Sequence, residues 1–125
     1  MRARRRIGAP APLEKAIQAA VVDHWRQLGK LNTLVAAIPN AKAFGQPGLT
    51  RGLPDLLVLG PELPGGVGFI ELKRDHRSTL SDDQALFARL CAELGVPHAV
   101  CPGRDQPIAL LELWEIVRRQ RRAAA

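Results

Sequence analysis

An α/β domain, with a mixed central sheet flanked by helices, is the fold class this sequence predicts. Three observations point there. Helical and strand periodicities alternate in the order helix, strand, strand, strand, helix, strand, helix. Two of the strands lie close enough in sequence to read as a hairpin. The chain has 125 residues, 46% of them hydrophobic, which is enough for one domain that buries roughly two-thirds of its unfolded surface.

Residues 1–11 carry Arg, Ala, Gly and Pro without periodicity and read as a flexible basic arm. A first helix is expected from near Pro12, since proline suits a first turn. It places Leu13, Ile17, Val21, Trp25 and Leu28 at helical spacing and stops at Gly29. Leu34 to Ile38 is a short apolar run that reads as a strand, closed by Pro39-Asn40. Residues 40–52 read as a long loop, a length often kept for function. Asp55 to Gly60 and Val67 to Lys73 are the hairpin strands, joined through Pro61 to Gly66.

Leu80-Ser81-Asp82-Asp83-Gln84 has the pattern of a helix start. Ser81 is placed as N-cap, acids fill the first turn, and Gln84 completes a capping box. The helix is expected to turn Leu86, Phe87, Leu90 and Leu94 inward and to end at Gly95. His98 to Cys101 reads as a fourth strand. A last helix from about Gln106 is expected to bury Leu110, Leu111, Trp114 and Val117, then fray into the terminal arginines.

Net charge is +6, but its distribution matters more than its total. Four arginines lie between residues 2 and 6 and four between 118 and 122; without those eight, 10 Lys+Arg face 12 Asp+Glu, a net of −2. The body is slightly acidic, and the basic ends either add phosphate affinity through counterion release or serve as solvated tails. No stretch reaches the roughly 18 apolar residues of a membrane span. No apolar segment of signal-peptide length follows the N-terminal arginines, so the cytoplasm of a bacterium, or of a cell hosting a phage, is the expected compartment. Cys91 and Cys101 form neither a C-x-x-C pair nor a zinc pattern and are expected as buried small hydrophobes. His24, His76 and His98 are isolated and read as structural or surface residues.

The chemistry is concentrated between Gly52 and Lys73. Glu71 and Lys73, two apart on a strand, project to one face. Asp55 begins the partner strand, so antiparallel pairing brings it beside Glu71. Two adjacent carboxylates repel, and one tends to keep its proton unless a cation intervenes. A hard divalent ion removes that repulsion and can hold a phosphodiester while lowering the pKa of a water. Lys73 would then orient or deprotonate that water, or stabilise charge on the phosphorane. The alternative is an ordinary surface ion pair at a strand end. Gly52 is expected to allow a tight backbone approach before Asp55.

Gly52-Leu53-Pro54-Asp55 followed by Glu71-Leu72-Lys73 resembles the PD-(D/E)xK nuclease superfamily. With Glu14 in a first helix, Pro39-Asn40 after the first strand and Leu80-Ser81-x-x-Gln84 opening the next helix, the chain resembles the VRR-NUC domain in its stand-alone form. The resemblance covers residue 12 to about residue 104. It implies a restriction-endonuclease-like core, with 12–117 as nuclease domain and 118–125 as a basic C-terminal tail.

The activity it implies is a Mg2+- or Mn2+-dependent deoxyribonuclease, hydrolysing phosphodiesters with metal-activated water. Branched DNA such as Holliday junctions is the implied substrate, cut by a homodimer with two symmetric sites. A non-catalytic nucleic-acid-binding module on the same fold is the alternative. Carried over by position, Glu14, Asp55, Glu71 and the Leu72 carbonyl are the implied metal ligands. Asp55, Glu71, Lys73 and Gln84 are the implied catalytic set. Glu14 also suits the helix dipole and Gln84 also suits the capping box, and these roles can coexist. Asn40, Lys42, Arg51 and Arg74 are the implied nucleic-acid contacts.

Overall fold

The computed structural model describes residues 13–39 and 47–120. Its elements follow the expected order: α1 (Glu14–Leu28), β1 (Leu34–Ala37), β2 (Leu56–Leu59), a 3-10 turn (Pro64–Gly66), β3 (Val67–Lys73), α2 (Asp82–Leu94), β4 (His98–Pro102) and α3 (Asp105–Leu113). The strands form one sheet in the order β1-β2-β3-β4. β1 with β2 and β2 with β3 are antiparallel, whereas β3 with β4 is parallel, so the sheet is mixed as expected.

Alternation along β3 divides the two faces. Ile70 and Leu72 turn to a core shared with Ile17 and Val21 of α1, Val58 of β2 and Leu111 of α3. Val67, Phe69, Glu71 and Lys73 turn to the opposite face, where Phe87 of α2 packs edge-on against Phe69 at 5.2 Å. One face therefore carries α1 and α3, and the other carries α2. Cys91 and Cys101 are both buried and free, as expected, and burial pushes the Cys101 thiol up to about 11. His98 is half-buried beside Phe87, and His76 is exposed.

Two expectations are corrected. α2 does not bury Leu86, Leu90 and Leu94, which are all exposed; its packed positions are Gln84, Phe87, Ala88 and Cys91. Both sets have helical spacing, and the one that includes Gln84 faces the sheet. The last helix also ends earlier than expected, at Leu113. Glu115 adopts φ 62° and reverses the chain, so that Ile116 and Val117 enter the core outside any helix. The Lys30–Glu115 ion pair at 2.6 Å, the Lys30 N–H to the Ile116 carbonyl and the Arg118 N–H to the Leu28 carbonyl hold this return against the end of α1. Two consecutive β-branched residues favour such an extended return over another helical turn.

Ser81 caps α2 as expected: its hydroxyl accepts from the Gln84 N–H, and the Gln84 side chain accepts from the Ser81 N–H. Gly95 closes the helix in the left-handed conformation at φ 73°. The basic arm, the segment 40–46 and residues 121–125 lie outside the described residues. Among the described residues no helix is long and apolar enough to cross a membrane.

Ile70 is fully buried at the centre of the sheet. Ile70→Ala should cost about 2–5 kcal/mol, the range for emptying such a core position, as measured by denaturant unfolding.

Candidate metal centre

The register of the hairpin builds the centre. Leu56 pairs with Ile70, so Asp55 and Pro54 continue β2 beside Glu71 and Leu72. Odd-numbered residues of β3 serve β4: the Phe69 N–H donates to Pro97, and the Lys73 carbonyl accepts from Gly103. The even-numbered Leu72 therefore turns its polar groups to the β2 side. Its N–H meets Asp55, donating to Oδ2 at 2.7 Å. A carboxylate thus takes the place of the next ladder carbonyl. Pro54, opposite Leu72 if the register is extended, has no N–H with which to occupy the Leu72 carbonyl.

Glu71 and Lys73 are 2% and 7% exposed, the two buried charged residues of the described chain. Their charged atoms lie 3.9 Å apart, and Gln84 links them. Gln84 Oε1 accepts from Lys73 Nζ at 3.0 Å and from the Ser81 N–H at 2.9 Å, while Nε2 donates to Glu71 Oε2 at 3.1 Å. The cap role and the site contact of Gln84 are present together.

Glu14, at the first position of α1, completes the group. One carboxylate oxygen from each of Glu14, Asp55 and Glu71 lies within 4.8 Å of the other two. Burial, hydrogen bonding to Asp55 and the nearby Asp55 charge push the Glu71 carboxyl up to about 8; Lys73 opposes this and Glu14 adds to it. Three oxygen donors, one of them buried and reluctant to ionise, are the donor set that a hard divalent cation satisfies. Ligand distances of about 2.1 Å put donors around one magnesium ion within about 4.2 Å of each other. Small side-chain shifts bring the cluster to that size.

No family model matches the sequence, and no curated protein matches it. Solved structures do. A structure described as a "VRR_NUC domain" matches with a TM-score of 0.59 and 25% identity, over 79% of this chain and 94% of that one. Another, a "VRR_NUC domain protein", matches with a TM-score of 0.68 and 23% identity, over 84% of this chain and 89% of that one. The chain has the VRR_NUC fold. That fold is the restriction-endonuclease-like α/β arrangement of a nuclease family, in agreement with the resemblance carried by the motifs.

On the VRR_NUC fold of this chain, Arg51 and Arg74 are exposed, in the segments leading to Asp55 and away from Lys73. Asn40 and Lys42 lie outside the described residues. One partner was not legible in the motif. Gly52 has φ 87°, and a Cβ there would lie 2.5 Å from the carbonyl carbon and oxygen of Asp83. The segment carrying Asp55 is thereby seated on the first turn of α2, the turn that supplies Gln84. The sequence marked Gly52 as a close approach but not what it approaches.

The raised Glu71 pKa has a defined effect on stability. The metal-free fold keeps a proton that the unfolded chain releases near 4.5. Its contribution is full below about pH 4.5 and is lost as pH rises to about 8. In chelator, the melting temperature of the wild type should fall relative to Glu71→Gln across that window. A divalent ion added at pH 8 should raise it again by binding only the folded site.

Proposed function

We propose that this chain is a magnesium- or manganese-dependent, structure-specific DNA endonuclease that hydrolyses phosphodiesters in branched DNA such as Holliday junctions, acting as a homodimer. The observation that carries this reading is the convergence of three carboxylates beside a buried lysine on a VRR_NUC fold. Asp55, Glu71 and Glu14 are the side chains that hold the ion, and the Leu72 carbonyl is available as a further oxygen. A divalent cation there supplies positive charge to the scissile phosphate and acidifies a neighbouring water.

The chain's own groups do the rest. Lys73 orients the attacking water and stabilises the charge that develops on the phosphate oxygens. Gln84 is a positioning residue: its amide fixes the Lys73 ammonium and one Glu71 oxygen simultaneously. Arg51 and Arg74, exposed on either side of the site, meet flanking phosphates, and Asn40 and Lys42 are the further contacts that the sequence resemblance implies. The terminal arginines add sequence-independent grip on duplex arms.

The test is incubation of the purified protein with labelled four-way and linear DNA, with and without magnesium. Ion-dependent cutting of the four-way DNA is expected. Asp55→Ala and Lys73→Ala should each lower turnover by at least about 100-fold, with unchanged circular dichroism. Binding without cutting under any divalent ion would reduce the chain to a non-catalytic module. Equal cutting of linear DNA would remove the branched substrate.

A further inference from the structure

Gly48 and Gly52 share a backbone conformation and differ in surroundings. Their φ angles are 83° and 87°, in the left-handed region that favours glycine. A Cβ at Gly48 would meet nothing within 4 Å. At Gly52 the same atom would lie 2.5 Å from the carbonyl carbon and oxygen of Asp83 and 2.7 Å from its Cβ. That is about 1 Å inside ordinary carbon–carbon contact. The nearest obstacle is main chain in the first turn of α2, which no rotamer change can clear.

The contact closes a circuit around the acidic cluster. Three residues after Gly52, the Asp55 carboxylate accepts from the Leu72 N–H at 2.7 Å. Glu71, next to Leu72 on β3, accepts from Gln84 Nε2 at 3.1 Å. Gln84 adjoins Asp83, whose backbone rests on Gly52. Two of the three clustered carboxylates, Asp55 and Glu71, therefore belong to one closed circuit. A shift of about 1 Å at the Gly52–Asp83 contact displaces either the segment carrying Asp55 or the turn that holds Glu71, enough to disturb a positioned site.

We propose that Gly52 is a positioning residue that makes the centre select magnesium over the larger calcium ion. Magnesium demands near-octahedral donors at about 2.0–2.1 Å, whereas calcium accepts flexible arrangements at about 2.3–2.6 Å. Oxygens around magnesium thus stand no more than about 4.2 Å apart, and opposed oxygens around calcium stand about 4.6–5.2 Å apart. The cluster, with its oxygens within 4.8 Å of one another, contracts to hold magnesium and need not contract for calcium. A side chain at position 52 would be a wedge in the circuit and oppose that contraction. Its absence lets the donors close on the smaller ion. The inference rests on the metal-centre reading and adds what sets the choice of ion.

The experiment is calorimetric titration of the full chain with magnesium and with calcium, without nucleic acid, and with circular dichroism as folding control. In Gly52→Ala the magnesium dissociation constant should rise at least about tenfold and the calcium constant less than about threefold. Gly48→Ala introduces the same backbone strain without the contact, and should leave both constants within about twofold of wild type. Equal loss of both ions in Gly52→Ala, loss of neither, or the same loss in Gly48→Ala overturns the inference and leaves the centre standing. A wild type that binds neither ion overturns the centre itself. If Gly52→Ala does not fold, amide exchange in Gln84→Ala tests the same contact, because there the side-chain link to Glu71 is gone. Saturating magnesium, and not calcium, should still slow exchange at Leu72 and at position 84 together. Slowing at Leu72 alone overturns the inference.

Discussion

The register of β2 on β3 is the constraint on which the rest of the molecule depends. Leu56, Val58, Ile70 and Leu72 are all fully buried, and their alternation leaves only one pairing that keeps each of them in the core. A slip of one residue would turn Glu71 into the hydrocarbon interior and Leu72 toward the site. The apolar pattern therefore holds the chemistry in position. The bond from the Leu72 N–H to Asp55 closes the ladder at the point where Pro54 would otherwise leave it frayed. In this sense the proline and the aspartate of the motif are one device. The first residue removes a donor from the strand end, and the second satisfies a donor across from it.

Burying the Lys73 ammonium is costly, since the effective penalty is several kcal/mol for a desolvated ion, and the Glu71 carboxyl 3.9 Å away, pushed up to about 8 by burial and Asp55, offsets little of it. The Gln84 amide supplies what the pair lacks. Its carbonyl oxygen accepts from the ammonium and its nitrogen donates to Glu71 Oε2, so both buried groups have a neutral hydrogen-bond partner. The same oxygen accepts from the Ser81 N–H, which makes the start of α2 part of the network. Asp55 and Glu14 add negative potential that Lys73 alone does not offset, and Glu71 responds by holding a proton. Local composition thus favours a further positive charge at this end of the sheet.

Much of this was legible in the sequence, because the relevant signals are local. Val67 to Lys73 was read with its observed bounds, since apolar alternation, Pro-Gly-Gly before it and a charged end delimit it. Ser81 and Gln84 announced the helix start by their spacing alone. The hairpin then brought Asp55 to Glu71 by topology. Illegible features were those decided by tertiary choice between equivalent local patterns. α2 carries two apolar stripes, and periodicity cannot say which of them meets the sheet. Ile116 and Val117 fit a continued helix as well as an extended return, and the choice was made by α1 and by the Lys30–Glu115 pair, 85 residues apart in sequence. The contact of Gly52 with Asp83 likewise depends on where a loop lands, which glycine permits but does not specify.

The rotation of α2 connects these points. Turned by about 110°, the helix would bury Leu86, Leu90 and Leu94, each worth about 1.5–3 kcal/mol on full burial. It does not turn that way, although its own sequence offers the larger apolar stripe. What opposes the rotation is the polar network at its first turn. Gln84 would swing away from Lys73 and Glu71, leaving a buried ammonium and a buried carboxyl without their neutral partner, and Asp83 would leave its seat on Gly52. Phe87, Ala88 and Cys91 would leave the sheet as well, so the leucine burial would be offset by apolar burial lost and by the broken hydrogen bonds together. The orientation that keeps the leucines at the surface is the one that seats Gln84 on Lys73 and Glu71, Asp83 on Gly52 and Phe87 on Phe69 together.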